Sequence, residues 1–205
     1  MKPALIALLA LGAGVTPGAD EHVLAGARLF RADRYAEALV EFRVAQRLGS
    51  PEAAGYAAAA LVKLERPEEA VESFAALEPV PPARRDALLD YYHAVACNNA
   101  RLYLCADGLL GGLGARAGPR IGEHARKMRA AIEALLVSEP SQDALDWYLA
   151  RCSQFRRAGR ALLARAYCEE AAGLASRRHD GYRRSEAMAS LASLQRETVV
   201  PSAGR

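Results

Sequence analysis

The sequence lacks the marks of several common classes of protein. Its 205 residues carry a net charge of only +3, whereas a protein that binds nucleic acid by phosphate attraction usually needs a strongly basic stripe. Aromatic residues make up 6% of the chain, against 52% for all hydrophobic residues. Almost no segment after Asp20 alternates in the manner of a β-strand. These absences disfavour a nucleic-acid partner and favour close-packed helices rich in alanine, the best helix former.

The chain also lacks a recognisable catalytic motif. The stretch from Gly111 to Gly118 contains a G-x-G-x-x-A match, but a dinucleotide site needs that phrase between a strand and a helix, and the preceding residues have a helical pattern. No Gly-Lys-Ser/Thr follows, which excludes a phosphate-binding loop. Paired carboxylates such as Glu169 and Glu170 are typical of solvated helix faces. With no set of nucleophile, base and orienting group, we predict no enzyme activity and no cofactor.

The first apolar run is too short to span a membrane. Lys2 precedes apolar residues from Ala4 to Val15, and helix-breaking residues follow as far as Ala19. A signal peptide has this arrangement, whereas a membrane-spanning helix needs about 20 apolar residues. We therefore predict a signal peptide over 1–19 and a periplasmic or secreted protein. The abundance of alanine and arginine is typical of a bacterial chain. The membrane would be contacted only indirectly. An uncleaved short anchor or a buried first helix is the alternative.

Helical patterns occupy almost all of the remaining chain. Prolines and glycines separate them, and proline suits the first turn of a helix because its missing N–H would have no partner there. Short connections place neighbouring helices antiparallel, so the chain is predicted to be all-α and built from helical hairpins. The predicted helices cover 21–32, 35–48, 51–64, 67–77, 83–99, 101–113, 119–137, 141–157, 160–177 and 180–196.

A short phrase recurs with an alanine four positions before a phenylalanine, at Ala38 and Phe42 and again at Ala70 and Phe74. Such a pair shares one helix face, where the alanine admits a neighbouring helix and the phenylalanine fills the space beside it. These residues resemble the tetratricopeptide repeat family, whose motif is a helical hairpin of about 34 residues. The two stronger copies use Gly26, Leu29, Tyr35, Ala38, Phe42, Ala45 and Pro51, then Ala58, Leu61, Ala70 and Phe74. Two weaker copies use Ala94, Cys97, Tyr103, Ala106 and Leu110, then Tyr148, Cys152, Phe155, Ala164, Cys168 and Ala171.

The resemblance implies a right-handed solenoid of about five antiparallel helical hairpins over 20–196, with a capping helix at its C-terminal end. Terminal repeats need such a cap because their outer apolar face has no following repeat to cover it. The helix at 119–137 is then an insertion or half of a degenerate hairpin. The divisions are 20–50 and 51–80 for the strongest repeats, 83–177 for degenerate repeats, 180–196 for the cap and 197–205 for a disordered tail.

In the resembled family, the first helices of successive hairpins line a concave groove that holds an extended peptide or a partner helix. The resemblance therefore implies a non-enzymatic adaptor or scaffold in the periplasm or cell envelope, with a protein as its partner. Cations on one rim suit acidic groups, or they are only the solvated ends of amphipathic helices. The alternative is a structural subunit of a motility, pilus or secretion assembly that stacks without holding a peptide. The residues placed in the groove are Phe30, Arg31, Val62, Lys63, Tyr91, Asn98, Asn99, Arg156 and Arg157.

The four cysteines form an even set in a chain that we expect to be exported, which favours pairing. Cys152 and Cys168 fall on facing helices of one hairpin, at positions where the resembled family packs side chain against side chain. Cys97 and Cys105 flank a short turn of another hairpin. We predict these two pairs as disulfides, with four buried free thiols as the alternative. A metal site at His93, Cys97 and Cys105 is disfavoured because a second close ligand pair is missing.

Overall fold

The computed structural model describes residues 18–77, 86–137 and 140–199. In these ranges every regular element is helical, including a short 3-10 helix at Gly114–Arg116, and the predicted all-α class is confirmed. The α-helices are α1 (Ala19–Arg31), α2 (Tyr35–Arg47), α3 (Ala53–Lys63), α4 (Pro67–Ala75), α5 (Ala87–Asn99), α6 (Tyr103–Leu113), α7 (Pro119–Val137), α8 (Gln142–Arg157), α9 (Ala161–Arg177) and α10 (Gly181–Val199).

The ends of these helices differ from the predicted ends by a few residues. Helix α1 begins at Ala19, and residues 1–17 of the predicted signal peptide lie outside the described residues. Helix α10 extends to Val199, past the predicted boundary at residue 196, and residues 200–205 of the predicted tail also lie outside the described residues. Ser141 is the N-cap of α8, since its hydroxyl accepts a hydrogen bond from the N–H of Ala144 at 3.1 Å.

The chain divides into two compact units, one ending at His93 and the other beginning at Ala94. We call these unit 1 and unit 2. In unit 1, α1 packs on α2, α2 packs on α3, and α3 packs on α4. In unit 2, α6 packs on α7 and on α9, and α8, α9 and α10 pack on one another.

The turns within four of the helical hairpins have the same geometry. Their central residues, Asp33 and Glu65 in unit 1 and Arg101 and Gly159 in unit 2, have φ between 57° and 71°. In each turn the next residue donates its N–H to a carbonyl five positions earlier, at 2.8–3.0 Å. This pair of features is the Schellman arrangement, which satisfies the last carbonyls of a helix. The four hairpins therefore have the same type of turn, and equivalent positions in them can be found by counting residues from the central residue of each turn.

Counted from these turns, the same kinds of residue occupy the same buried positions. The residue seven positions before the turn is small, and so is the residue five positions after it, which allows the two helices of a hairpin to approach closely. A larger or apolar side chain follows four positions later. The first set is Gly26, Ala58, Ala94 and Cys152, the second is Ala38, Ala70, Ala106 and Ala164, and the third is Phe42, Phe74, Leu110 and Cys168; all are buried. The chain thus has a helical-repeat organisation, and α7 lies between the third and fourth of these hairpins.

The contact between Gly26 and Phe42 explains why a glycine is needed in the first hairpin. A Cβ atom added to Gly26 would lie 2.6 Å from the nearest carbon of the Phe42 ring. The same ring lies 5.5 Å from the ring of Tyr56, measured between centroids. Phe42 of α2 therefore packs against both α1 and α3, and it is fully buried.

Candidate partner-binding surfaces

Two of the residues predicted for the groove are buried inside unit 1. Phe30 is only 9% exposed and Val62 only 8%. The ring of Phe30 contacts the rings of Tyr35 and Tyr92 edge to face, with centroids 5.2 Å and 6.0 Å away. Both side chains therefore pack within unit 1 in this structure, and their role in binding a partner stays a prediction.

The first half of α5 packs beside Phe30 in unit 1. Leu88, Leu89 and Tyr92 line a narrow apolar crevice together with Phe30 and residues of α2 and α3. A Cβ atom added to Gly55 of α3 would lie 2.7 Å from a methyl carbon of Leu89. The first half of α5 therefore packs closely on α3 and lines one crevice with residues of α1, α2 and α3.

The polar groove residues of unit 1 lie nearer its surface. The ammonium of Lys63 is exposed and lies 5.8 Å from the ring centroids of both Tyr35 and Tyr92, a favourable cation–π arrangement. Burial raises the pKa of Tyr92 to about 12, so this phenol stays neutral beside the cation. Arg31 donates from Nε to the carbonyl of Ala27 at 3.2 Å. As partner-binding residues, Arg31, Lys63 and Tyr91 stay a prediction.

In unit 2 the predicted groove residues are at least partly accessible. Asn98 is half-buried and Asn99 exposed at the end of α5, while Arg156 is half-buried and Arg157 exposed at the end of α8. Arg157 donates from Nε to the carbonyl of Ser153 at 3.4 Å. Within 18–77, 86–137 and 140–199, no carboxylate forms an ion pair with Arg156 or Arg157. Their positive charge is therefore available to a partner, and their role in binding stays a prediction.

The turn between α5 and α6 is held in place by side chains of α8 and α9. Tyr148 donates its hydroxyl to the carbonyl of Arg101 at 2.5 Å, and Tyr167 donates to the carbonyl of Ala100 at 3.0 Å. Close packing accompanies these bonds, since a Cβ atom added to Gly173 would lie 2.5 Å from a methyl carbon of Leu104. The turn is thus fixed by the α8–α9 hairpin as well as by its own backbone bonds.

The expectation of a solvated face at Glu169 and Glu170 is wrong for Glu170, which is only 2% exposed. Its carboxylate accepts hydrogen bonds from the N–H groups of Leu104 at 2.7 Å and Cys105 at 3.2 Å, at the start of α6. These N–H groups have no partner within their own helix, and the helix dipole favours a negative charge beside them. Burial nevertheless dominates and raises the pKa of Glu170 to about 7.

The raised pKa of Glu170 predicts a pH-dependent stability. Its pKa is about 7 in the folded chain against an ordinary value of 4.5, so the folded state holds a proton that the unfolded state releases. The stabilisation is fully present below pH 4.5 and is lost as the pH rises through 7. At about 1.4 kcal/mol for each pKa unit, the loss is about 3 kcal/mol.

Urea denaturation of the protein and of Glu170→Gln between pH 4.5 and pH 8 measures this loss. We expect the difference in unfolding free energy between the two chains to move in favour of the variant as the pH rises. Glu169→Gln is the matched control, because Glu169 is exposed and pairs with Arg165 at 2.8 Å. Parallel pH profiles for the protein and Glu170→Gln would contradict the prediction.

Beside the turn between α5 and α6 lies a cluster that the sequence did not reveal. It is formed by Arg101, Trp147 and Arg151. The guanidinium carbons of Arg101 and Arg151 lie 5.7 Å and 5.8 Å from the centroid of the Trp147 ring. Arg151 also lies over the rings of Phe155 and Tyr167, at 4.6 Å and 5.5 Å. The indole of Trp147 remains 37% exposed. We call this group the arginine–tryptophan cluster.

The two predicted cysteine pairs lie at disulfide distance. The Cα atoms of Cys97 and Cys105 are 6.0 Å apart and those of Cys152 and Cys168 are 5.2 Å apart, with their sulfurs joined. Because the sulfurs of Cys97 and Cys105 are joined to each other, neither is available as a thiolate metal ligand. The pairs are compatible with an oxidising compartment outside the cytosol.

A solvent-open groove, lined mainly by apolar side chains, runs between α9 and α10. Leu162 of α9 and Met188 of α10 are exposed along it, and the ion pair between Arg165 and Glu169 lies on its α9 side. The predicted cap thus leaves apolar surface uncovered among the described residues.

Comparison of the chain with protein-family models, with curated proteins and with solved structures found no match. Among the described residues, none of the helices combines the length and apolar character needed to cross a membrane.

Proposed function

We propose that this chain is an exported bacterial adaptor of the tetratricopeptide-repeat type that binds a segment of a protein partner. In this proposal the hairpins form a right-handed solenoid, α10 caps it, and the end of α8 takes part in binding. The partner belongs to an envelope complex, and the chain acts by holding it rather than by catalysis.

The repeat register is the observation that carries the proposal. In four hairpins the buried small residues keep the same distance from the turn, while the exposed residues between them differ. Stacked helical repeats bury a common core in this way and present variable residues to partners. Arg156 and Arg157 are such variable residues, and their guanidinium groups can form paired hydrogen bonds with a carboxylate. The two disulfides support export, because disulfides persist in oxidising compartments.

Charge reversal at Arg156 and Arg157 tests the proposal. We expect the double variant Arg156→Glu and Arg157→Glu to lose about 90% of the partner recovered by crosslinking and co-purification from the native envelope. Reversing both charges turns attraction for an acidic segment into repulsion, and a tenfold change in affinity requires about 1.4 kcal/mol. Mass spectrometry with isotope labels measures the recovery.

The matched control reverses Arg43 and Arg47, two exposed arginines of α2. This control has the same change in net charge, so it separates a local effect from a general one. Equal recovery by both double variants would contradict a binding role for the end of α8. Far-UV circular dichroism verifies that each variant is folded.

The second candidate is a structural subunit that stacks on other subunits without holding a peptide. The apolar groove between α9 and α10 favours it, because exposed apolar surface of this kind marks protein contacts. Met188→Glu places a charge in that groove and leaves Arg156 and Arg157 intact. Loss of the partner with Met188→Glu, but not with the charge reversal, would support the structural subunit instead of the adaptor.

A further inference from the structure

Side chains of two other helices hold the backbone around Arg101 by hydrogen bonds. Three side chains from α8 and α9 bind this turn: Tyr148 and Tyr167 bind its carbonyls, and Glu170 binds the N–H groups that follow it. These bonds fix the backbone at Arg101, and its guanidinium lies against the indole of Trp147. A residue whose backbone is already ordered loses less conformational entropy when it binds a ligand.

Arg101 brings a positive charge to the cluster, whereas Arg151 is already engaged: its Nη1 donates to Oε1 of Gln154 at 3.0 Å. Both guanidinium groups lie against Trp147. In the part of the chain that the structure describes, no carboxylate forms an ion pair with Arg101. Glu170, the acid that reaches this turn, is engaged with the start of α6.

We propose that the arginine–tryptophan cluster binds an acidic segment of a protein partner, with a carboxylate on the guanidinium of Arg101 and an apolar side chain on the indole of Trp147. Guanidinium binds carboxylate through two parallel hydrogen bonds, and the exposed part of Trp147 supplies an apolar platform next to that charge. A phosphate backbone fits less well, because the net charge of +3 provides no basic stripe along which it could run. The inference does not rest on the role of Arg156 and Arg157.

Trp147 makes the test direct, because it is the only tryptophan of the chain. The probe is a peptide of ten glutamates, added to the full chain at low ionic strength, with ten-residue glutamine and lysine peptides as comparisons. We expect a saturable change in tryptophan emission with the glutamate peptide alone, and the same Kd by isothermal titration calorimetry. Arg101→Gly is expected to weaken binding at least tenfold, and Arg101→Lys to weaken it less, because lysine keeps the charge but not the paired donors.

Arg101→Gly should fold normally, since glycine readily adopts the positive φ of 63° found at this turn. Glu65→Gly is the matched control, because Glu65 occupies the equivalent turn of unit 1 with φ 57°; its Kd should equal that of the unmodified protein. Three results would overturn the proposal: no saturable binding by either method, an unchanged Kd in Arg101→Gly, or tighter binding of a ten-residue oligothymidine than of the glutamate peptide.

Discussion

Reduction of the two disulfides is expected to lower the unfolding free energy of unit 2 by about 5 kcal/mol and to leave unit 1 unchanged. All four cysteines lie in unit 2. The pairs close loops with sequence separations of 8 and 16, and loops of this size restrict the unfolded chain by about 2–3 kcal/mol each. Hydrogen exchange read by mass spectrometry, with and without a phosphine reductant, measures the two units separately.

Paired alanine variants divide this effect between the two disulfides. Replacing Cys152 and Cys168 should cost slightly more than replacing Cys97 and Cys105, because the loop is longer. Equal loss of protection in unit 1 and unit 2 on reduction, or no loss in either, would contradict this account.

Replacing Phe42 with alanine is expected to destabilise unit 1 by about 3–5 kcal/mol, the usual cost of removing a buried phenylalanine. The ring is fully buried and joins three helices, because it packs on Gly26 of α1 and on Tyr56 of α3. Urea denaturation followed by circular dichroism and by hydrogen exchange measures the loss. Val40→Ala is the control on the same helix; Val40 is 60% exposed, and its truncation should change stability by less than about 0.5 kcal/mol.

A double-mutant cycle with Gly26 makes this test sharper. Gly26→Ala alone forces the Phe42 ring to move and should cost about 1–3 kcal/mol, because a Cβ atom would lie 2.6 Å from it. In the Phe42→Ala background the same substitution meets open space and should be neutral or stabilising, since alanine favours a helix over glycine. Additive effects of the two substitutions would show that the ring does not fill the space beside Gly26.

The sequence was sufficient for the helices and for their packing register, because both depend on local patterns. Proline and glycine separate the helices, and an alanine four positions before a phenylalanine fixes which face is buried. Pro67 and Pro119 begin helices α4 and α7, as their missing N–H groups favour. The even set of cysteines, placed on the predicted helices and read with the resemblance, favoured the two pairs that the structure places at disulfide distance.

The rest depended on contacts between distant residues, which no local pattern contains. Glu170 lies beside the charged Glu169 in the sequence, yet it binds N–H groups that are about 65 positions away. The resemblance places Phe30 in the groove, but the sequence does not show that its ring contacts the ring of Tyr92. Trp147 carries no motif at all, and its importance follows only from the arginines that lie against it.

Site-specific photo-crosslinking in the native envelope tests the central claim, that the variable residues at the end of α8 bind a protein partner. A photoreactive phenylalanine derivative replaces Ser153, whose carbonyl accepts the hydrogen bond from Arg157. In a separate control variant, the same derivative replaces Arg43 of α2. The account predicts one protein crosslinked at position 153, none at position 43, and loss of the product when Arg156 and Arg157 are changed to glutamate. No product at position 153, or a product that persists after the charge reversal, would contradict it.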